Sequence, residues 1–342
     1  MSIIPPIQFK DDELILLDQR KLPNEEVLVK CKTLQEGYTA IKDMVVRGAP
    51  CIGFTGIFTL ALWIKNNSEF NFTEFSSAAS FLIEARPTAV NLKYEVDTVL
   101  SLLMGVKEKD KAYDLVVNYG HEQIIKSEKN NRMMSENVFK HLRELKPQDK
   151  YNILTHCNTG FLACGSIGTA LGVIQVMHES NAINMVYADE TRPYLQGSRL
   201  TAYELGKLGI KHKVVVEGCA SYLMKNKLID AIVVGADRIA RNGDTANKIG
   251  TSNLSIIAKH YGIPFYVVAP TNSFDVKTND GSTIEIELRE EEEILNYKEY
   301  RIAPKTSQAL NPSFDITDGS LITGISNENG IFHAPYDFKE NI

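Results

Sequence analysis

The residues best suited to chemistry stand where apolar runs stop. In "ILTHCNTG", 153–160, Cys157 ends such a run and precedes a small-residue segment holding Gly160, Gly165 and Gly168. A helix starting within a few residues would direct N–H groups that favour a thiolate or a bound anion. The plainer reading is a buried thiol acting as a small hydrophobe, and His156, its neighbour on a strand, points to the opposite face. "DAIVVGAD" delivers Asp237 beside Arg238, as a salt bridge, a helix N-cap or an acid in a polar site. The segment after it, "RIARNGDTANKIGT", reads as a loop offering Asn242, Gly243, Asp244, Asn247 and Lys248 before a helix. Those are turn residues, a carboxylate and a cation around one helix start. "YADETRPYLQGSRLTAYEL" gathers Asp189, Glu190, Arg192, Gln196 and Arg199 at a strand-to-helix junction, to pair with one another or to face a ligand. Gln196 is uncharged and can both donate to and accept from a sugar hydroxyl. In "MVVRGAPCIG", Arg47 offers a planar fork for phosphate and Gly48 lets backbone N–H groups approach it, unless the pair is only a capped turn. Arg86 in "EARPTAVNL" carries the same two readings.

Such groups need a scaffold that brings strand ends together. "YNILTHC", "NMVYADE", "HKVVVEG", "DAIVVGAD" and "PFYVVAP" are apolar, β-branched runs separated by helix-like segments, the repeated βα pattern of a parallel sheet covered on both faces. The expected class is therefore α/β, with a doubly wound, mainly parallel, Rossmann-like sheet over 131–342. A smaller N-terminal domain, 1–130, reads as mostly helical with a short sheet made by "ELILLDQ" and "EVLVKCKT". The boundary falls within 130–150, where a long helix can span it. In open α/β sheets ligands bind beyond the carboxyl ends of the strands, where strand order reverses, so the strand ends at 155–160, 189–192, 217–219 and 235–238 are the places to search.

Composition removes several classes. The 342 residues, 44% hydrophobic and 23% charged, suit two globular domains. A net charge of −6 without a Lys/Arg block argues against a nucleic-acid partner. No signal-like start and no apolar run of about 18 residues argue against a membrane and for a cytoplasmic location. Five widely spaced cysteines without a C-x-x-C pair argue against disulfides and structural zinc. The acidic run "IELREEEEIL" reads as solvated surface rather than a metal cluster, and the glycine fingerprint of a nicotinamide enzyme is missing.

Longer motifs narrow the field further. "VVRGAPCIG", "ARPTAVNL", "ILTHCNTG", "GTALGVI", "VYADETRPYLQGSRLTAYEL", "VVGADRIARNGDTANKIGT", "GIPFYVVAP" and "RIAP…NPSFDIT…LITGI" resemble the methylthioribose-1-phosphate isomerase family from about residue 40 to 330. Its wider superfamily includes ribose-1,5-bisphosphate isomerase and regulatory subunits of the initiation-factor exchange complex. The resemblance implies a homodimer that needs no cofactor or metal and isomerises a sugar 1-phosphate from aldose to ketose in methionine salvage. It assigns proton donation to Asp237 and a second catalytic role to Cys157. Phosphate and sugar contacts fall on Arg47, Gly48, Ala49, Arg86, Gln196, Asn247 and Lys248. An aspartate acting as acid needs a dry site that raises its pKa, which the run "AIVVGA" suits, with Arg238 turned away. Cys157 would serve as a thiolate base or stabilise a hydride shift. Phe161, Cys164, Ser166 and "NYKEY" depart from the family pattern around the sugar's 5-substituent. That keeps 5-deoxyribose 1-phosphate and a ribose-phosphate paralogue as alternative substrates. A non-catalytic regulatory subunit is the competing class, and the presence of both Cys157 and Asp237 speaks against it.

Overall fold

The structure is a computed structural model that describes residues 3–87 and 89–339. It has a mixed α/β fold and divides into two compact units. The first comprises the chain up to Lys129 together with Thr159–Gly168; the second comprises Asn130–Asn158 and the chain from Thr169 onward.

In the first unit, β1 (Ile7–Lys10), β2 (Glu13–Leu17) and β3 (Leu28–Cys31) form an antiparallel sheet with β2 in the middle. β1 has no apolar alternation strong enough to be read from sequence; its pairing with β2 makes it a strand. Helices follow: α1 (Leu34–Lys42), α2 (Ala49–Asn66), α3 (Phe72–Ile83), α4 (Val90–Leu102) and α5 (Lys109–Leu145). Thr33 and Glu36 close a reciprocal capping box on α1, and Asn71 accepts N–H bonds at the start of α3. α2 is apolar on nearly every face and buries an unbroken run from Cys51 to Leu62, so it forms the centre of this unit's core. A single turn, α6 (Phe161–Cys164), also belongs here. Gly165, at φ +71°, ends it, so the longer α7 (Ala170–Glu179) begins well beyond Cys157 rather than directly after it.

α5 runs across the division into the second unit. There the principal sheet contains β4 (Tyr151–Thr155), β5 (Ile183–Asp189), β6 (His212–Val215), β7 (Ala231–Val234), β10 (Phe265–Val268), β15 (Gly324–Asn327) and β16 (Gly330–Phe332). Their order is β16-β15-β10-β7-β4-β5-β6, and every neighbouring pair is parallel except β15 with β16. The chain moves outward from β4 through β5 to β6, then returns to the other side of β4 as β7, with Thr155 opposite Val233. β7 and β10 are buried at every position, as unbroken apolar strands in a covered parallel sheet should be. α8 (Ala202–Lys207), α9 (Ala220–Lys225) and α10 (Thr251–Tyr261) lie in the connections.

The segment read as a loop after Asp237 is instead a hairpin. β8 (Arg238–Ala240) and β9 (Thr245–Lys248) join β11 (Phe274–Asp275) and β14 (Phe314–Thr317) in a second sheet ordered β11-β8-β9-β14. Asn242 Oδ1 accepts the Asp244 N–H at 3.0 Å, and Gly243 takes φ +83°, so the Asn-Gly-Asp group turns the chain between short strands. The "NYKEY" departure is another hairpin, β12 (Asn296–Tyr297) with β13 (Tyr300–Arg301).

Candidate active site

Cys157 follows β4 and is 7% exposed, in the left-handed region at φ +63°. A non-glycine residue held there marks a backbone fixed from outside. Two threonines fix it. The Cys157 N–H donates to Thr191 Oγ1 at 2.8 Å, and Thr201 Oγ1 donates to the Cys157 carbonyl at 2.6 Å. Thr191 also has a positive φ, +62°, and donates to the Asp189 carbonyl at 3.0 Å. Thr201 closes a π-helical turn, Gly197–Thr201, that runs directly into α8. Next to Cys157, Asn158 Nδ2 donates to buried Glu204 at 2.9 Å. Gln196 opens the π turn, is buried, and its Oε1 has no hydrogen-bond partner. A buried amide oxygen left in that state costs about 1–3 kcal/mol unless something donates to it.

Asp237 leaves β7 beside Cys157's strand, but it is exposed. The expectation of a dry carboxylate is corrected here: the buried run ends at Gly235, Ala236 is half-buried, and Asp237 is in the open. Its N–H donates to the Ala246 carbonyl at 2.9 Å, which ties it to the strand carrying Asn247 and Lys248. Asn247 is buried, with Nδ2 donating to Thr251 Oγ1 at 3.0 Å. Lys248 Nζ donates to the Ser313 carbonyl at 2.8 Å and lies 4.6 Å from the centre of the Phe314 ring. Arg238 extends toward Asp275, with Nη1 and Oδ2 3.7 Å apart. The second unit thus brings Cys157, Gln196, Asp237, Asn247 and Lys248 to the carboxyl ends of its strands.

The residue before Cys157 belongs to a buried ionisable group. His156 is 1% exposed; its Nδ1 is 3.1 Å from Asp189 Oδ2 and its Nε2 2.8 Å from the Ile249 carbonyl. Glu217 Oε1 is 4.0 Å from Nε2, while Glu217 Oε2 accepts the Arg192 N–H at 2.8 Å. Burial works to lower the histidine pKa, but the Asp189 hydrogen bond and the surrounding carboxylates outweigh it and the net shift is upward. Burial raises Asp189, Glu217 and Asp315 as well. The proposed mutual pairing within "DETRPYLQGSR" is largely redirected. Asp189 turns to His156, and the Arg192 guanidinium donates to the Pro193, Glu293 and Ile294 carbonyls.

In the first unit, Gly48 caps the start of α2 at φ +86°, followed by Ala49 and Pro50. A Cβ on Gly48 would lie 2.4 Å from the Ala163 carbonyl oxygen, so only glycine lets these backbones meet. Arg47, just before it, is half-buried; Arg86, after α3, is half-buried too and its carbonyl accepts the Ala89 N–H at 2.9 Å. Thr88, in the same motif as Arg86, lies outside the described residues.

Residues 45–334 match the sequence profile of the "Initiation factor 2 subunit family". A methylthioribose-1-phosphate isomerase of Caldicellulosiruptor saccharolyticus is 44% identical over 98% of this chain and 97% of its own. This chain belongs to that isomerase family. Among solved structures, a 5-methylthioribose 1-phosphate isomerase of Pyrococcus horikoshii superposes with a TM-score of 0.91 at 36% identity, covering 98% of this chain and 94% of its own. A structure titled as translation initiation factor eIF-2B, subunit delta, from A. fulgidus reaches 0.88 at 35%, over 98% and 97%. Motif reading of the family missed Thr191 and Thr201, whose role needs backbone angles and a π turn that sequence does not display. It also left out the His156–Asp189 contact, although both residues end adjacent parallel strands and could have been matched on that ground.

Proposed function

We propose that this enzyme converts 5-methylthioribose 1-phosphate to the corresponding ribulose 1-phosphate, as a step of methionine salvage. The observation that carries the proposal is the pairing of Cys157 and Asp237 on neighbouring strand ends in a chain 44% identical, nearly end to end, to an isomerase of that name. The names of such relatives favour this substrate over the 5-deoxy and ribose alternatives.

The C1 phosphate locks the sugar ring, so opening needs a proton on the ring oxygen. Asp237 gives that proton. It is exposed in the chain, so the dryness that holds its proton near neutral pH comes from the substrate covering it. Hydrogen then passes from C2 to C1. With Cys157 as base, the thiolate takes the C2 proton and the electrons of that C–H bond form a C1–C2 enol phosphate; the C2 hydroxyl then releases its proton to become the ketone as the Cys157 thiol returns a proton to C1. Retention of deuterium from C2 at C1 without exchange against solvent would instead assign a hydride shift, with Cys157 stabilising it.

In this proposal Gln196 accepts a sugar hydroxyl, and Asn247 and Lys248 bind the substrate alongside Arg47, Arg86 and the backbone of Gly48 and Ala49. The substrate is the only partner required besides a second copy of the chain. A monomer mass in light scattering would remove the homodimer. We further take 131–342 as the catalytic domain and its sheet as doubly wound and Rossmann-like, supported by the outward-and-return strand order. A cytoplasmic location belongs to the same reading; among the described residues no helix is long and apolar enough to cross a membrane. Steady-state kinetics with 5-methylthioribose, 5-deoxyribose and ribose 1-phosphates tests the function. Highest kcat/KM for the first is expected, and preference for either of the others would refute the assignment.

A further inference from the structure

We propose that His156 is a positioning residue of this isomerase, an imidazolium that ties the end of β4, and with it Cys157, to the loop that follows Asn247 and Lys248. The inference rests on the reading above for the reaction but on separate geometry. Nε2 faces the Ile249 carbonyl at 2.8 Å, and a carbonyl only accepts, so Nε2 carries hydrogen. Nδ1 faces the Asp189 carboxylate at 3.1 Å, another acceptor, so a second proton is required there. The ring is ordinarily the more basic partner, and Asp189 and Glu217 push it further in that direction, so we place that proton on Nδ1.

The carboxylates nearest the ring favour this state. Asp189 ends β5, Glu217 follows β6 with Oε1 4.0 Å from Nε2, and Asp315 on β14 accepts the Gly250 and Ser252 N–H groups at 2.8 and 3.0 Å. Glu190, beside Asp189, works the other way, since its charge raises Asp189 and Glu217 rather than acting on the ring. Lys248 is directed elsewhere, to the Ser313 carbonyl. The loop can close on the ring only because residue 250 is glycine. It takes φ +103°, and a Cβ there would lie 3.0 Å from His156 Cε1 and 3.1 Å from Glu217 Oε1.

Loss of the Nδ1 proton would set two lone pairs against each other at a fully buried site. The tie would then open at the residue preceding Cys157. Asp189→Asn offers a neutral version of the tie, because an amide N–H can donate to unprotonated Nδ1 while Nε2–H still serves Ile249. Asp189→Ala offers none.

The test is kcat and KM against pH for the wild type, Asp189→Asn and Asp189→Ala, with thermal midpoints for each. Asp189→Ala is expected to lose about a hundredfold in kcat, the scale of an ångström-size misplacement of a reacting group. Asp189→Asn should stay within about threefold of the wild type and lose the decline in kcat that the wild type shows as the ring deprotonates at high pH. Equal impairment of the two variants, or the same high-pH decline in wild type and Asp189→Asn, would overturn the proposal. Should either variant fail to fold, the ¹⁵N spectrum of the wild-type ring decides. Both nitrogens are expected to be protonated at neutral pH, and a singly protonated ring refutes the idea. That spectrum needs no turnover, so a wild type inactive on the sugar phosphate would fail the functional reading and leave this one to be judged alone.

Discussion

Gly197 allows the π turn to dock on the end of β5, and its replacement by alanine gives a worked case. A Cβ at 197 would lie 1.6 Å from the Asp189 carbonyl oxygen and 2.7 Å from its carbonyl carbon. Real Cβ atoms do not come closer than 3.0 Å, so the turn would have to retreat by about 1.4 Å, and both obstructing atoms are backbone. Retreat of the turn pulls Thr201 away from the Cys157 carbonyl, now 2.6 Å distant, and moves Gln196 with it. Overpacking of this kind costs about 1–3 kcal/mol and the lost hydrogen bond about 1 kcal/mol more. A net loss of about 3 kcal/mol, in a unit of this size, lowers the thermal midpoint by about 6–12 °C. The geometric shift should reduce kcat by about a hundredfold if Cys157 acts as proposed, because it displaces the backbone that holds that residue. Differential scanning calorimetry and steady-state kinetics read both effects. Gly206→Ala is the control: it lies in α8, a Cβ there meets only His212 Cε1 at 3.9 Å, and the change should be neutral or slightly stabilising. A Gly197→Ala enzyme with a midpoint lowered by less than about 2 °C and kcat within about threefold would show that the turn does not hold Cys157 in place.

Two further tests follow from the site. Cys157→Ser and Asp237→Asn should each lose about 10²–10⁴ in turnover while calorimetry still detects substrate binding; near wild-type kcat would remove the residue from the catalytic pair. Stability should also depend on pH through the buried histidine. With a folded pKa raised above its ordinary 6.5, His156 contributes stability that is complete below 6.5 and is lost as pH rises through the raised value. Asp189, Glu217 and Asp315, raised by burial, act in the same direction, their contributions fading as pH climbs from their ordinary values through the raised ones. The wild type's thermal midpoint relative to Asp189→Asn should therefore fall from about pH 6 to about pH 9, and a difference that stays flat or grows would contradict the cluster's assignment.

How much was legible beforehand depended on the range of the interactions. "DAIVVGAD" and "PFYVVAP" read correctly as strands because a covered parallel strand must be apolar at every position, a local property. The helical stretch from Leu34 to Leu145 announced itself through periodicity, while the caps at Thr33 and Asn71 came into view only in the structure. "RIARNGDTANKIGT" was misread because its strands are short, and only their pairing with 274–275 and 314–317 makes them a sheet. Asp237 was expected to be dry because its preceding strand is apolar, but burial fades just past the strand, at Ala236.

The sequence by itself determined the residue chemistry available: a thiol and a carboxylate at strand ends, an amide, a lysine and two arginines. It determined the βα rhythm as well, since hydrophobic pattern and turn residues are written locally. Tertiary structure alone decided that β7 returns beside β4, which makes Cys157 and Asp237 neighbours in strand order. It alone decided that Thr191 and Thr201 clamp Cys157, and that His156 serves Asp189 and Ile249 instead of the thiol beside it. Each of these depends on groups far apart in the chain, whose meeting is settled by strand order and by which buried polar atoms must find partners.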